Sequence, residues 1–438
     1  MSTDEQIAPR ARVSHFRQAM MALFWFGIQA HWAAYLTIIL PQQAIYIGGD
    51  AHKGETQGWV LLFVPIVSMV VAPLFGSMSD RIVTPFGRRR PWILAGTLLN
   101  IIGLFGLAYL PRQNDLSSLP IYIAVAVWVC FWNNFATAPY NALIPDIMPP
   151  EQRGSAAGWY GLMSMLGNAA GVGTGILFTA HGKTDITAIY YFIAVLFFLS
   201  MVFTVVFVQE PRVVTKPPPF QFGTFIHTLL DPLRDHDFRW VFWTRFMMVM
   251  GFFVVQQYLQ YYFRDVVRNF TFFGVSLASN EVEAFTVFGL MLLIGAVISS
   301  LSAGILSDRF GRKLMVYISS ALQAVVPIVF IFFTNYSLAV ILGIVFGLGY
   351  GAYQSVDWAL ASDVLPSEDD YAKDMGVWHV AFTLPQLAVF ITGFVLDGLQ
   401  SVGRAHGNPN LPYMVIFAFA VICFILGTVL VRRIKKVR

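Results

Sequence analysis

Long apolar runs, each of about 20 residues, alternate with short polar segments along the chain. A run of this length is long enough to cross a lipid bilayer as a helix. The runs are continuously apolar and do not alternate in the manner of strands, which excludes a membrane β-barrel. The pattern predicts an all-α membrane protein with twelve transmembrane helices, at residues 20–46, 57–79, 91–110, 120–145, 155–179, 187–208, 239–263, 284–307, 314–334, 337–361, 376–397 and 411–431.

The composition agrees with a lipid environment. Of the 438 residues, 57% are hydrophobic and only 12% are charged, whereas about a quarter of the residues in a soluble domain are charged. The net charge of +4 is not gathered into a basic stripe, so we predict no nucleic-acid partner. Cys130 and Cys423 both fall in apolar runs and have no metal-ligand spacing, so we predict no metal site.

The positions of Lys and Arg predict the orientation in the membrane. With the N-terminus inside the cell, 21 of the 28 Lys and Arg residues fall in cytoplasmic segments. The first eighteen residues are polar and basic and have no apolar core, so they read as a cytosolic tail and not as a cleaved signal. We therefore expect a monomeric, multi-pass protein of the plasma membrane, with both termini in the cytoplasm.

One long polar segment divides the runs into two sets of six. The loop GSMSDRIVTPFGRRRP at 76–91, after the second run, is echoed by GILSDRFGRK at 304–313, after the eighth. PDIMP at 145–149 and SDVLP at 362–366 form a second, weaker echo at matching places. Parallel halves of six helices are the organisation of major facilitator transporters.

The predicted domains follow from this repeat. We expect a pseudo-symmetric fold with one half at 1–208, a cytoplasmic linker at 209–238 and a second half at 239–438. The part of the linker at 220–233 has a modest apolar face and is a candidate interfacial helix.

Charged residues of the repeated loops are candidates for a cytoplasmic gate. Their arginines can pair with carboxylates that follow the fourth and tenth spans, and we expect such pairs to form when the cytoplasmic side closes. Simple anchoring of positive charge inside the cell is the alternative. The candidate gate residues are Asp80, Arg81, Arg88, Arg89, Arg90, Asp146, Asp308, Arg309, Arg312 and Asp363.

Several motifs resemble those of the plant sucrose–proton symporters and their animal and bacterial relatives. They are GIQAHWAAYLTIILPQQ in the first span, FGRRRPWI after the second, NNFATAPYNALIPD at the end of the fourth, and SVDWALAS with MGVWHVAFTLPQ in the tenth and eleventh. The resemblance implies the major facilitator fold and a sugar-like substrate. Cys130 stands where the plant symporters have an acidic residue proposed to carry the proton, and Asn141 stands where they have an arginine. Proton coupling through the fourth span is therefore not implied.

A charge inside the apolar thickness is costly and should face a cavity or a partner. Arg245 lies near the start of the seventh span, and Asp357 lies at a similar depth near the end of the tenth. We expect these two residues to pair, and a carboxylate released from its arginine would change its proton affinity. Asp357 and Arg245 are therefore candidates for proton coupling, and a permanent structural ion pair is the alternative.

His31, in the middle of the first span, is a third candidate for coupling because histidine titrates near neutral pH. It can also bind a sugar hydroxyl, and a structural hydrogen-bond donor is the alternative.

Sugars are bound by amides that pair with their hydroxyls and by aromatic rings that cover their C–H faces. Because an unpaired amide in hydrocarbon is costly, the intramembrane amides are the stronger candidates. The predicted substrate residues are Gln29, His31, Trp32, Tyr35, Asn133, Asn134, Gln256, Gln257, Gln260, Tyr261, Tyr353 and Gln354.

These features predict secondary transport of a disaccharide or glycoside by alternating access, with a proton as the coupling ion and with no other cofactor. A sugar uniporter, a proton-coupled exporter of other amphipathic small molecules, and a non-transporting sensor remain alternatives. We do not expect an enzyme, because the chain has no zinc-protease, nucleophile-elbow or P-loop signature.

Overall fold

The computed structural model describes residues 12–79, 84–149, 152–208, 210, 231–364, 377–378 and 380–436. Within these residues, eleven helices are long and apolar enough to cross a membrane. The predicted span at 155–179 is also a helix, Arg153–Leu177, but it is not among the eleven. Its many glycines, with Ser164 and Asn168, lower its hydropathy.

Twelve long helices, α1 to α12, form the described part of the chain. The first six are α1 His15–Gly48, α2 Lys53–Ser79, α3 Arg90–Tyr109, α4 Leu119–Asn141, α5 Arg153–Leu177 and α6 Ile186–Phe207. The second six are α7 His236–Tyr262, α8 Glu281–Phe310, α9 Arg312–Phe332, α10 Tyr336–Val364, α11 Ala388–Ala405 and α12 Leu411–Leu430.

Short elements connect or extend these helices. A π-helical turn, Tyr35–Ile39, widens α1, and another, Phe263–Val267, continues α7. A 3₁₀ turn, Leu384–Leu387, leads into α11, and a short helix, Leu143–Ile147, follows α4. The described strands form two small antiparallel hairpins: Thr179–Ala180 pairs with Lys183–Thr184, and Thr271–Phe272 pairs with Val275–Ser276.

The two sets of six helices repeat the same packing. In the first half α4 packs on α2 and α3, and α6 packs on α1 and α3; in the second half α10 packs on α8 and α9, and α12 packs on α7 and α9. The halves meet where α2 packs on α11 and α5 packs on α8. The predicted fold of two pseudo-symmetric halves is confirmed.

Small residues decide how closely the halves approach. A Cβ at Gly393 of α11 would lie 2.2 Å from the carbonyl oxygen of Gly54 in α2, so the two backbones touch. Gly175 of α5 likewise faces Thr286 of α8, but Gly167 packs on α1 of its own half. The glycines of α5 therefore allow close contact both within the first half, at Gly167, and between the halves, at Gly175.

Several helices extend beyond their predicted ends, among them α2 and α11. α2 begins at Lys53, which the charge pattern places in an external loop, and α11 continues to Ala405 instead of ending at 397. Polar first and last turns have low hydropathy, so a hydropathy window ends too early. The linker residues 211–230, with most of the candidate interfacial helix, lie outside the described residues.

Candidate functional site

A cavity of about 720 Å³ lies between the two halves. Its walls come from α1, α2, α4 and α5 of the first half and from α7, α8, α10 and the segment leading into α11 of the second. We call the face on which α1 begins and α12 ends the terminal side, and the other face the opposite side. Gly76 and Asn141 line the cavity at the terminal-side ends of α2 and α4, so the cavity reaches the terminal side.

The first-half wall carries most of the polar side chains that line the cavity. The indole N–H of Trp32 donates to Oδ1 of Asn133 at 3.0 Å, and Gln29 donates to the hydroxyl of Ser164 at 3.0 Å. Asn134 accepts a hydrogen bond from the Ser68 hydroxyl at 3.0 Å. These bonds fix the amides in place before any ligand arrives.

The second-half wall is mostly apolar and rich in aromatic rings. Phe252 stacks on Tyr350 with ring centroids 4.1 Å apart, and Phe253 meets Phe382 edge to face at 5.4 Å. Gln256 contributes an amide to this wall. The cavity can therefore hold a molecule that has a hydrogen-bonding face and an apolar face.

The opposite side is closed by polar contacts between the halves. The ammonium of Lys53 in α2 is fully buried and pairs with the carboxylate of Asp265, which follows α7. The hydroxyl of Tyr413 in α12 also donates to Asp265. A buried ion pair persists only when its remaining polar groups are satisfied, and this tyrosine meets that need.

Asp397 of α11 caps the first turn of α2 across the interface. Its two carboxylate oxygens accept the backbone N–H groups of Gly54 at 3.0 Å and of Glu55 at 2.6 Å. The first N–H groups of a helix have no partner within the helix and attract negative charge. The second half thus supplies an N-cap to a helix of the first half.

Further contacts between the halves complete this closure. The side-chain amide of Gln57 donates to Oε1 of Gln257 at 2.7 Å. Arg264 pairs with Asp50 in the loop before α2. Partial burial favours the neutral form of Asp50, but the hydrogen bond and charge of Arg264 outweigh it and lower the pKa of this carboxyl. The Arg264 pair is therefore present at neutral pH and is lost only when the pH falls below that lowered pKa.

The described terminal-side charge pairs of Arg88, Arg89 and Arg312 each lie within one half. Arg88 and Arg89 donate to Asp146 at 2.7 and 3.0 Å, all three in the first half. Arg312 donates to Asp363 at 3.2 Å, both in the second half. In this conformation these predicted partners join loops to helices of their own half and do not bridge the halves.

The comparisons with known proteins agree with this architecture. The sequence profile described as Major Facilitator Superfamily matches residues 19–366 and 271–438. The chain belongs to the Major Facilitator Superfamily.

Curated relatives within the superfamily match part of the chain. Sucrose transport protein SUC4 of Arabidopsis thaliana is 31% identical over 182 residues, 38% of this chain and 34% of the relative. The general alpha-glucoside permease of Schizosaccharomyces pombe is 26% identical over 207 residues, 42% of this chain and 36% of the relative. The proton-associated sugar transporter A of Rattus norvegicus is 28% identical over 206 residues, 42% of this chain and 26% of the relative. The matched segments thus span about a third or less of each relative.

Solved structures of the superfamily share the fold. The nucleoside transporter NupG superimposes with a TM-score of 0.71 at 12% identity, over 95% of this chain and 99% of that one. A bacterial homolog to the human lysosomal transporter Spinster, in an inward-facing and occupied conformation, gives 0.69 at 13% identity, over 95% of each chain. At these identities the likeness shows the fold alone.

Five of the predicted substrate residues line the cavity of this superfamily member. They are Gln29, Trp32, Asn133, Asn134 and Gln256. The first four lie on the first-half wall, and their binding role stays a prediction.

Seven predicted substrate residues do not line this cavity. Gln257 and Tyr261 belong to the opposite-side closure, where the hydroxyl of Tyr261 donates to the Pro41 carbonyl at 3.2 Å. The amide of Gln354 donates to the hydroxyl of Tyr350 at 2.8 Å, one side chain behind the aromatic wall. The full set behind the walls is His31, Tyr35, Gln257, Gln260, Tyr261, Tyr353 and Gln354. Helical spacing identifies shared faces but not which face turns to the cavity, so it could not separate the two sets.

His31 lies inside the first half and not in the cavity wall. Its ring is fully buried and stacks on Phe197 of α6 with centroids 5.6 Å apart. Neither ring nitrogen has a hydrogen-bond partner among the described residues. In this conformation His31 lies behind the cavity wall, with its ring centroid 5.0 Å from that of Trp32, which lines the cavity. Its predicted coupling role stays a prediction.

Arg245 and Asp357 meet as an ion pair between α7 and α10, both almost fully buried. The hydroxyl of Tyr353 donates to the other carboxylate oxygen at 3.1 Å. The guanidinium of Arg245 stacks on the Trp378 ring at 3.5 Å and lies 5.5 Å from the Phe382 ring, which lines the cavity. The pair therefore sits one side chain behind the cavity wall.

One residue that the sequence reasoning missed organises the terminal side. The Glu210 carboxylate accepts the backbone N–H groups of Arg88, Arg89 and Arg90 at 2.6, 2.9 and 2.9 Å, and so caps α3. Glu210 belongs to the QEPR motif that follows the sixth span. Hydropathy alone assigns this motif to the linker, so it gave no sign of a capping role.

The remaining gate candidates form no described bridge between halves. Asp80 and Arg81 lie outside the described residues, as does the side chain of Asp308. Arg309 is exposed. Their predicted gate role stays a prediction.

Proposed function

We propose that this chain transports a sugar, of the disaccharide or glycoside class, across the plasma membrane by alternating access. The observation that carries the proposal is the two-faced cavity, in which preset amides and Trp32 face a wall of aromatic rings. Amides suit sugar hydroxyls, and flat rings suit sugar C–H surfaces. The named activities of the curated relatives, which include sucrose and alpha-glucoside transport, support the same substrate class.

The basic residues of the loops assign the terminal side to the cytoplasm. This conformation is then the cytoplasm-facing state, closed toward the outside by Lys53, Asp265 and Asp397. Opening to the outside requires these contacts to break while the cavity closes on the terminal side.

Proton coupling is proposed to act through Asp357 and Arg245. A buried carboxylate held by an arginine and a tyrosine changes its proton affinity if that arginine moves. Movement of Phe382 in the cavity wall can reach Arg245, because the ring lies 5.5 Å from its guanidinium. A ligand would thereby be linked to the protonation state of the pair.

The test is uptake of labelled disaccharides and glucosides into proteoliposomes, with and without an inward proton gradient. We expect accumulation above equilibrium in the gradient, and we expect Asp357→Asn to reduce uptake to equilibration without accumulation. Uptake to equilibrium by the wild-type protein would instead indicate a uniporter. Accumulation that persists in Asp357→Asn would contradict the coupling role.

The aromatic wall favours a second candidate, the export of an amphipathic small molecule. Phe252, Phe253 and Phe382 give this wall an apolar surface, which also suits the apolar part of an amphipathic molecule. The same vesicles, loaded with amphipathic fluorescent compounds, separate the candidates: a response to these compounds together with no uptake of any sugar would favour export.

A further inference from the structure

Two adjacent amides in the cavity wall, Asn133 and Asn134, have different hydrogen-bond environments. Asn134 donates to the carbonyl oxygen of Cys130 at 2.9 Å and accepts from the Ser68 hydroxyl at 3.0 Å. Both ends of its side chain are therefore occupied by the protein. It ties α4 to α2 and leaves little capacity for a ligand.

Asn133 is occupied at one end only. Its Oδ1 accepts from the Trp32 indole at 3.0 Å and from the Thr137 hydroxyl at 3.4 Å. Its Nδ2 is buried and has no partner among the described residues. The residue is 3% exposed, yet it lines the cavity.

The orientation of the Asn133 amide follows from chemistry. An indole N–H is a donor only, so the atom that faces Trp32 must be the acceptor Oδ1. Rotating the amide by half a turn would place two donors against each other. The free group of Asn133 is therefore an N–H₂ donor, and a buried donor without an acceptor is unfavourable.

We propose that Nδ2 of Asn133 donates a hydrogen bond to an uncharged acceptor oxygen of the substrate, a hydroxyl of a glycoside, while Asn134 serves as a structural clamp. This deepens the proposed function and rests on it. Trp32 acts twice in this arrangement, because its N–H holds Asn133 while the residue itself contributes to the cavity wall. A sugar bound here presents an oxygen to the first half and its less polar face to the second.

The test compares purified wild-type protein with Asn133→Asp by ligand titration in detergent. The aspartate keeps an acceptor for Trp32 and replaces the free donor by an oxygen. The ligands are a phenyl glucoside and its four singly deoxygenated analogues. We expect the wild-type protein to lose about tenfold in affinity for one analogue, as the loss of one hydrogen bond predicts. The variant should bind that analogue and its parent within about twofold of each other, because its donor is gone.

Asn133→Ser removes the amide donor without adding a charge, and it provides the same readout if the buried aspartate prevents folding. Asn100→Asp is the matched control, because this buried amide donates to the Val129 carbonyl oxygen at 2.7 Å and does not line the cavity. We expect it to lower the melting temperature but to keep the wild-type ratio between parent and analogue. If both Asn133 variants keep the wild-type ratio of affinities for parent and analogue, Asn133 does not donate to the substrate. That result would leave the proposed function intact. Failure of the wild-type protein to bind any glucoside or disaccharide would overturn the proposed function itself.

Discussion

The two sides of the molecule use polar groups in different ways. On the opposite side, Lys53 pairs with Asp265, and Asp397 caps α2, so that each contact joins one half to the other. On the terminal side, the pairs of Arg89 with Asp146 and of Arg312 with Asp363 remain within a half. The difference teaches that terminal-side charges hold each half together as a unit, whereas opposite-side charges hold this conformation.

This division suits a transporter whose halves move as bodies. Contacts that break in every cycle must be few and reversible, and contacts inside a half must survive the motion. The cross-half contacts also lie beside the close approach of Gly54 and Gly393. Closure of the opposite side therefore depends on the close approach of two helix backbones as well as on charge.

Two pairs of spin labels can measure how far each side of the molecule is open. Gln113 and Ser401 are exposed residues of different halves near the opposite side, and Phe86 and Arg309 are exposed residues of different halves near the terminal side. Opening of the opposite side lengthens the first distance, and closure of the terminal side shortens the second.

The largest effect is expected from Lys53→Met. Removing one partner of a buried ion pair costs about 3–5 kcal/mol, and only the closed conformation bears that cost. The Gln113–Ser401 distance should therefore lengthen for most molecules in electron paramagnetic resonance. The charge exchange Lys53→Asp with Asp265→Lys should restore part of the short-distance population. A distribution unchanged from wild type in Lys53→Met would show that the pair does not hold the closure.

Gly393→Ala tests the backbone fit without changing any charge. The added methyl group would meet the Gly54 carbonyl oxygen and Gly54 C at 2.2 and 2.8 Å, and such overpacking costs about 1–3 kcal/mol. We expect a partial shift to the longer Gln113–Ser401 distance. Gly398→Ala on the same helix is the control, because a Cβ there meets no described atom within 4 Å. Equal behaviour of the two variants would contradict the prediction.

Asp397→Asn should weaken closure less than the loss of Lys53. The amide keeps one acceptor for the N–H groups of α2 but loses the charge, and hydrogen bonds to charged groups contribute about 2 kcal/mol. The measurement is the fraction of molecules with the short Gln113–Ser401 distance. Asp185→Asn makes the same change at a cap within one half, where Asp185 accepts from the Ala188 N–H, and should leave that fraction unchanged. If both variants lower the fraction with the short distance equally, the effect comes from weakening any helix cap and not from the cap across the interface.

The smallest effect on conformation is expected from Asp146→Asn on the terminal side. Its partners Arg88 and Arg89 belong to the same half, and partly exposed pairs contribute about 1 kcal/mol or less. The variant should melt at a slightly lower temperature, with both label distances as in the wild type. A longer Phe86–Arg309 distance, from the loss of molecules closed on the terminal side, would instead assign Asp146 to the gate between halves.

Much of the fold was predictable because its causes are local in the sequence. Each span is set by its own apolar run, and the division into halves is visible in the repeated S-D-R and G-R motifs. The pairing of Arg245 with Asp357 was also predictable, because a lone charge in lipid requires a partner at the same depth.

The site was less predictable, because it depends on how each helix is rotated in the bundle. Asn133 and Asn134 are neighbours with the same chemistry, yet only the positions of Trp32 and Ser68 make one a free donor and the other a clamp. His31 has the same helical context as Trp32 but points into the half and not into the cavity.

Twelve spans, two repeated halves and a polar interior follow from the sequence alone. Which polar groups meet, and which side is closed, follow from how the helices pack against one another. Lys53 and Asp265 are 212 positions apart. In the sequence Lys53 looks like an ordinary loop lysine, and it becomes buried only because the second half covers it. Hydropathy is a property of each segment, whereas burial and pairing are properties of the assembled helices.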